Sequence, residues 1–302
     1  MLALKNKHVI KGYWALAAIS FFWGTTWFIA KKAVNDYHIP PLQLTGIRQT
    51  LAGISLILFF IFRTKKLPTV QELKFHFICG FLLIACSNGL TTWGIQYIPS
   101  FLGALIGCLM PFVLIIGSAI FYKEKIKPMV ILSLVFGFIG VALLLSSFAE
   151  EFKSPHFILG IILSLIGVVT WTSGTLITAK NKLNINPIEG IGWQMLIGGI
   201  LLLFASLLSG QHVPLQSIAM EGWILLIYLT IFGSIVAFVC YLYALKQLPL
   251  SLVSIYVYIN PIIALLMGMI FLHEKINALM CIGIVVILIS IYLVKRFTNK
   301  VA

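Results

Sequence analysis

Apolar residues run along this chain in blocks of about twenty, the length at which a helix crosses a bilayer core of roughly 30 Å. Short polar stretches rich in Lys, Glu, Asn and Pro separate the blocks. The pattern predicts ten helical spans, near 12–31, 41–62, 75–95, 100–122, 129–148, 158–180, 188–209, 221–244, 250–272 and 277–294. Helix is the expected form because each block must satisfy its own backbone hydrogen bonds in lipid. A transmembrane barrel would show segments of about ten residues alternating in polarity, and none is present. The first block follows Lys5, Lys7 and Lys11. It is too long for a signal peptide and no small-residue cleavage site follows it, so it is expected to be retained.

Composition strengthens the picture. Of 302 residues, 61% are hydrophobic and 10% charged, against roughly 25% charged in a soluble domain. The connecting stretches are too short to hold a soluble domain.

The net charge of +13 would suit a nucleic-acid partner until its distribution is considered. Sixteen Lys/Arg fall in the termini and alternate loops on the N-terminal side, from Lys5 through Lys74, Lys123 and Lys246 to Lys300. Four (Lys31, Lys32, Lys153 and Lys275) fall on the other side, and Arg48 lies inside a span. This asymmetry predicts cytoplasmic termini in a plasma (inner) membrane. The basicity then records orientation and attraction to anionic lipid headgroups, with no nucleic acid as partner.

The chain also repeats itself. At an offset of 150, Pro99 meets Pro249, Pro111 meets Pro261, Glu124 meets Glu274 and Lys125 meets Lys275. Earlier in each half, Gly12 pairs with Gly160, Trp23 with Trp171, Pro41 with Pro187 and Gly53 with Gly199. Five spans per half is an odd number, so the second half must insert upside down. The predicted fold is an all-α integral membrane protein of ten transmembrane helices arranged as two inverted five-helix repeats, residues 1–150 and 151–302. Inverted repeats recur in transporters, with the substrate site near the midplane between the halves.

The runs "WGTTWFIAKKA" and "PLQLTGIRQTLAG", span 4 ending in "YKEK", and "YALKQLPLSLVSIYVYINPIIALLMGMIFLHEKI" together resemble the ordered segments of EamA-type drug/metabolite transporters. The resemblance covers most of both halves. It implies a ten-helix inverted-repeat carrier, usually an exporter of amino acids, other metabolites or toxic compounds, whose substrate it does not name.

Individual residues admit a structural and a functional reading. Arg48 lies seven residues past Pro41, about 10 Å into its span. It either ties to carbonyls or snorkels outward, or it serves as a cavity cation, and Gln194 is its uncharged counterpart in the second half. Trp23, Trp27 and Lys31 share one helical face; they form an interfacial belt with a snorkelling lysine or an aromatic wall with a basic tip. Asn88, Thr91, Thr92, Trp93 and Gln96 end span 3, and Tyr241, Tyr256, Tyr258 and Asn260 mark spans 8 and 9. So many donors should face inward, for helix contacts or for a cavity that Trp171 also lines. Pro111 and Pro261 free backbone carbonyls one turn back, suited to binding or hinging, and Gly103-x-x-x-Gly107 permits close helix contact. Glu124 and Glu274 directly follow spans, where a carboxylate accepts from the N–H groups of the next helix.

Absences narrow the chemistry. Asp36 is the only aspartate, the five cysteines form no C-x-x-C pair, and no H-E-x-x-H, G-x-S-x-G or phosphate-binding loop occurs. The five thiols are expected to be reduced and packed. No metal, cofactor or ATP hydrolysis is expected, and the chain is not read as an enzyme. The reading is a secondary carrier of small metabolites by alternating access, an exporter of amino acids or related carboxylate-bearing or neutral compounds. The alternatives are an exporter of toxic or drug-like compounds, or a channel or scaffold. The lipid bilayer and a small-molecule substrate are the expected partners; the sequence leaves the oligomeric state open.

Overall fold

The computed structural model describes residues 2–64, 67–123, 126–181, 183, 185–253 and 255–298. Among them the only regular structure is helical. Nine helices are long and apolar enough to cross a membrane: Val9–Asn35, Pro41–Phe62, Val70–Gly94, Ser100–Phe121, Pro128–Ser146, Pro155–Ala179, Pro187–Leu208, Met220–Gln247 and Ala278–Phe297. They correspond to expected spans 1 to 8 and 10. Four begin at a proline, where its missing N–H and fixed φ cost nothing. Thr69 opens span 3 through a capping box with Glu72.

Expected span 9 is shorter than the sequence predicts. One turn of helix, Leu250–Val253, precedes a 16-residue helix, Tyr256–Phe271. Pro261 sits inside that helix, buried, and does not break it. The carbonyl of Val257, which a proline at 261 leaves without its helical donor, accepts the Cys108 thiol at 3.1 Å. Span 4 is divided as Pro111 led one to expect, into Ser100–Gly107 and Met110–Tyr122.

Two features carry no obvious mark in the sequence. Span 3 is α-helical over Val70–Cys79, π-helical over Gly80–Gly89, and α-helical again over Leu90–Gly94. Span 8 does the same, with a π-helical stretch at Leu229–Val236. Such widened turns are rare and recur at functional sites. The turns after spans 4 and 9 also match, with Lys123 at φ 55° and His273 at φ 53°, a left-handed conformation uncommon outside glycine. Glu124 and Lys125, the next residues after the first of these turns, lie outside the described residues.

Spans pack mainly across the two halves of the sequence. Span 2 lies against span 7 and span 5 against span 10; span 1 contacts span 8 and the Tyr256–Phe271 helix, while span 6 contacts spans 3 and 4. Glycine makes the first two contacts close. A Cβ at Gly53 would lie 2.8 Å from the Gly192 carbonyl oxygen, and one at Gly283 would lie 2.9 Å from that of Gly140. Exposed large apolar side chains such as Phe59, Phe62, Phe121, Phe204 and Ile270 cover the outside of the bundle, as a lipid-facing surface requires.

Candidate functional site

Four helical stripes enclose one cavity of about 210 Å³. Span 1 contributes Trp23, Thr26, Trp27 and Ala30, and span 6 contributes Ser164, Gly167, Val168 and Trp171. Span 3 adds Asn88, Thr91, Thr92 and Ile95. Each set has the i, i+3, i+4, i+7 spacing of a single helix face. Span 4 adds Gly103, Ala104, Gly107 and Cys108, and Arg48, Gly233, Phe238, Tyr256 and Asn260 also line it. Both π-helical stretches reach it. Ser87 and Asn88 end the first, and Gly233 lies in the second, where its carbonyl accepts the Trp23 indole N–H at 3.1 Å.

Among the described residues the cavity has one charged lining residue, Arg48, which is 8% exposed. Its Nη2 donates to Asn88 Oδ1 at 3.1 Å, and Nε has no partner. Asn88 is itself fixed, because its Nδ2 donates to the Leu83 carbonyl at 2.7 Å inside the widened turn. With its amide nitrogen turned toward the neighbouring carbonyls, Asn260 donates to Tyr256 O at 3.1 Å and to Ser20 O at 3.0 Å, joining the Tyr256–Phe271 helix to span 1. An aromatic cluster surrounds Trp23. Ring centroids lie 5.2 Å from Trp23 to Phe238, 5.4 Å to Tyr241 and 5.1 Å to Tyr256, and 5.7 Å between the two tyrosines.

Of the candidate residues read from the sequence, the structure gathers Trp23, Trp27, Arg48, Asn88, Trp171, Tyr256, Asn260, Gly103 and Gly107 around this cavity. Gly103 and Gly107 do not form a backbone-to-backbone helix contact: the Trp27 ring lies over both, 3.0 Å from a Cβ built on the first and 3.5 Å from one built on the second. Lys31, Trp93, Gln194, Tyr241, Pro111 and Pro261 do not line the cavity. Lys31 turns aside, donating to the Ile98 carbonyl at 2.5 Å and lying 3.8 Å from Glu274 Oε1. Trp93 packs with Leu42, Ala85 and Leu202. Gln194 is buried on span 7, its carbonyl oxygen 2.7 Å from a Cβ built on Gly80. Tyr241 sits behind Trp23 in the aromatic cluster, and Pro111 and Pro261 lie outside the lining.

Glu274 also departs from expectation. It accepts from the Ser100 N–H at 2.6 Å and the Ser100 hydroxyl at 2.9 Å. It therefore caps the first turn of span 4, in the other half of the sequence, and leaves the helix that follows it alone. Ser87, Ser164, Gly167 and Phe238 line the cavity and were not singled out from the sequence. Ser164 and Gly167 were findable, since they share the Trp171 face of span 6.

Residues 10–146 and 158–296 each match the EamA-like transporter family. The chain belongs to that family. This EamA-like transporter is 28% identical over 292 residues to the uncharacterized inner membrane transporter YedA of Escherichia coli, covering 96% of this chain and 92% of that one. It is 26% identical to the uncharacterized transporter YvbV of Bacillus subtilis, over 92% and 90% of the two chains. It is 27% identical to the protein PecM of Dickeya dadantii, over 90% and 88%. One crystal structure superposes with a TM-score of 0.64 over 98% of this chain and all of the other, at 16% identity, and so shares the fold.

Proposed function

We propose that this EamA-like transporter is a secondary carrier of small metabolites that works by alternating access, without ATP. Its expected direction is export, and its expected cargo is amino acids or related carboxylate-bearing or neutral compounds. The observation that carries the reading is the cavity itself. Faces from both halves of the chain enclose it, its polar groups converge on an otherwise apolar and aromatic wall, and such a pocket is the usual form of a small-molecule site. Two inverted five-helix repeats, 1–150 and 151–302, are supported by the tandem family match, by matching π-helical stretches in spans 3 and 8, and by packing that pairs span 2 with 7 and 5 with 10. With both termini in the cytoplasm of an inner-membrane protein, Ala30, Ile95, Gly103 and Ser164 mark the outer half of the bundle. In this reading the cavity is expected to be reached from the outside, with the Trp23–Phe238–Tyr241–Tyr256 cluster as the barrier on its cytoplasmic side.

The test has two stages. Metabolites in the medium of overexpressing and empty cells are compared, and the compounds enriched outside are loaded into proteoliposomes. A carrier gives saturable counterflow; conductance would mean a channel, and no flux a scaffold.

A further inference from the structure

We infer that Arg48 and Asn88 form a subsite for a single carboxylate, and that the cavity takes a monoanion with an apolar or aromatic body. This rests on reading the cavity as a substrate site. A guanidinium carries five N–H donors, and the one side-chain partner described for it is Asn88. Among the described residues no carboxylate pairs with it: Asp36 binds Lys32, Glu150 binds Lys153, and Glu274 binds Ser100 and lies beside Lys31. A charge removed from water without a counter-charge is costly, and intramembrane arginines pair with carbonyls, acids or cavity contents. Arg48 borders the cavity, so an anion entering it meets an unneutralised cation.

Geometry sharpens the class. The Leu83 carbonyl holds the Asn88 amide nitrogen, so Asn88 Oδ1 is committed to Arg48 and the guanidinium cannot swing freely. A planar cation held at one corner suits the two oxygens of a carboxylate. A second anionic group would find no partner in the lining, because Lys31 is engaged with Ile98 and Glu274 outside it. An organic cation would find Arg48 repelling it and no acid in the lining. The rings of Trp23, Trp27, Trp171 and Tyr256 form the aromatic part of the remaining lining, beside the hydroxyls of Thr26, Thr91, Thr92 and Ser164, and give a flat or apolar body its contact surface.

The probes are benzoate, its neutral counterpart benzamide, and benzyltrimethylammonium, with binding to the purified full chain read by quenching of tryptophan fluorescence. The wild type should bind benzoate at least about tenfold more tightly than benzamide, as a charge-assisted pair allows, and the ammonium not measurably. R48Q should bind benzamide unchanged and lose the preference. R48K, which keeps the charge without the planar fork, should retain part of it, and N88A should weaken benzoate roughly threefold to tenfold while sparing benzamide. If R48Q fails to fold, R48K and N88A decide. Equal binding of benzoate and benzamide by the wild type overturns the proposal, as does a preference that survives R48Q or, failing that variant, one that is undiminished in both R48K and N88A. Anion preference without any counterflow would sink the carrier reading alone; saturable counterflow without anion preference would sink only the subsite.

Discussion

At the scale of single residues, what the sequence revealed depended on whether a side chain's fate is set locally. Trp23 and Trp27 share a face by helical spacing alone, and both line the cavity. Lys31 shares that face too, but its ammonium is taken by Ile98 and Glu274, groups that only the tertiary fold brings near. Glu274 was legible as an N–H acceptor, yet the helix it serves lies 174 residues away in sequence. This arrangement predicts a strong coupling. E274Q should destabilise the protein by about 3 kcal/mol, because it strips a nearly buried lysine of its counter-charge and weakens the Ser100 cap. K31M should cost less, and the K31M/E274Q pair should be less destabilised than the two single effects summed. Thermal unfolding in detergent measures all three; strict additivity would mean that Lys31 and Glu274 do not act as a pair.

Among elements, length and apolar content announced nine of the spans, because lipid imposes a minimum run that few other contexts produce. The π-helical stretches at Gly80–Gly89 and Leu229–Val236 were illegible, since no residue type demands a widened turn. Asn88 becomes intelligible as an anchor within one only when its bond to Leu83 is seen. Pro111 follows a break while Pro261 lies within a helix; proline removes a donor in both, and Cys108 fills the vacancy at Val257 in the second. The glycines separate in the same way. At Gly53 a Cβ would strike the backbone of span 7, so G53A should destabilise the fold by about 1–3 kcal/mol. At Gly107 a Cβ would rest 3.5 Å from Trp27, an ordinary contact. G107A should therefore fold and transport normally, while G107L should fold but abolish counterflow by filling the cavity. Equal transport by G107A and G107L would show that the cavity is not on the transport path.

For the molecule as a whole, the position of the cavity makes an orientation argument testable. Spans alternate in direction, so the ends of spans 1 and 3 and the starts of spans 4 and 6 share one side of the bundle. The lining residues nearest those ends are Ala30, Ile95, Gly103 and Ser164. Around Trp23 the rings of Phe238, Tyr241 and Tyr256 pack edge to face or tilted; Phe238 and Tyr256 line the cavity and Tyr241 lies behind them. If the loops richer in Lys and Arg are cytoplasmic, a reporter active only outside the cell should give no signal when fused to Ala302. In a background with the five native cysteines replaced, S164C should react with a charged, membrane-impermeant thiol reagent added from outside, and Y241C should not. A substrate that occupies the cavity should slow labelling of S164C. If the carrier alternates between two states with this cluster as the cytoplasmic barrier, Y241C should become reactive from the cytoplasmic side in inverted vesicles during counterflow, when S164C is shielded part of the time. Labelling of S164C only from the cytoplasmic side would reverse the orientation. Unchanging reactivity at both positions during counterflow would argue that this cluster is not the barrier that moves.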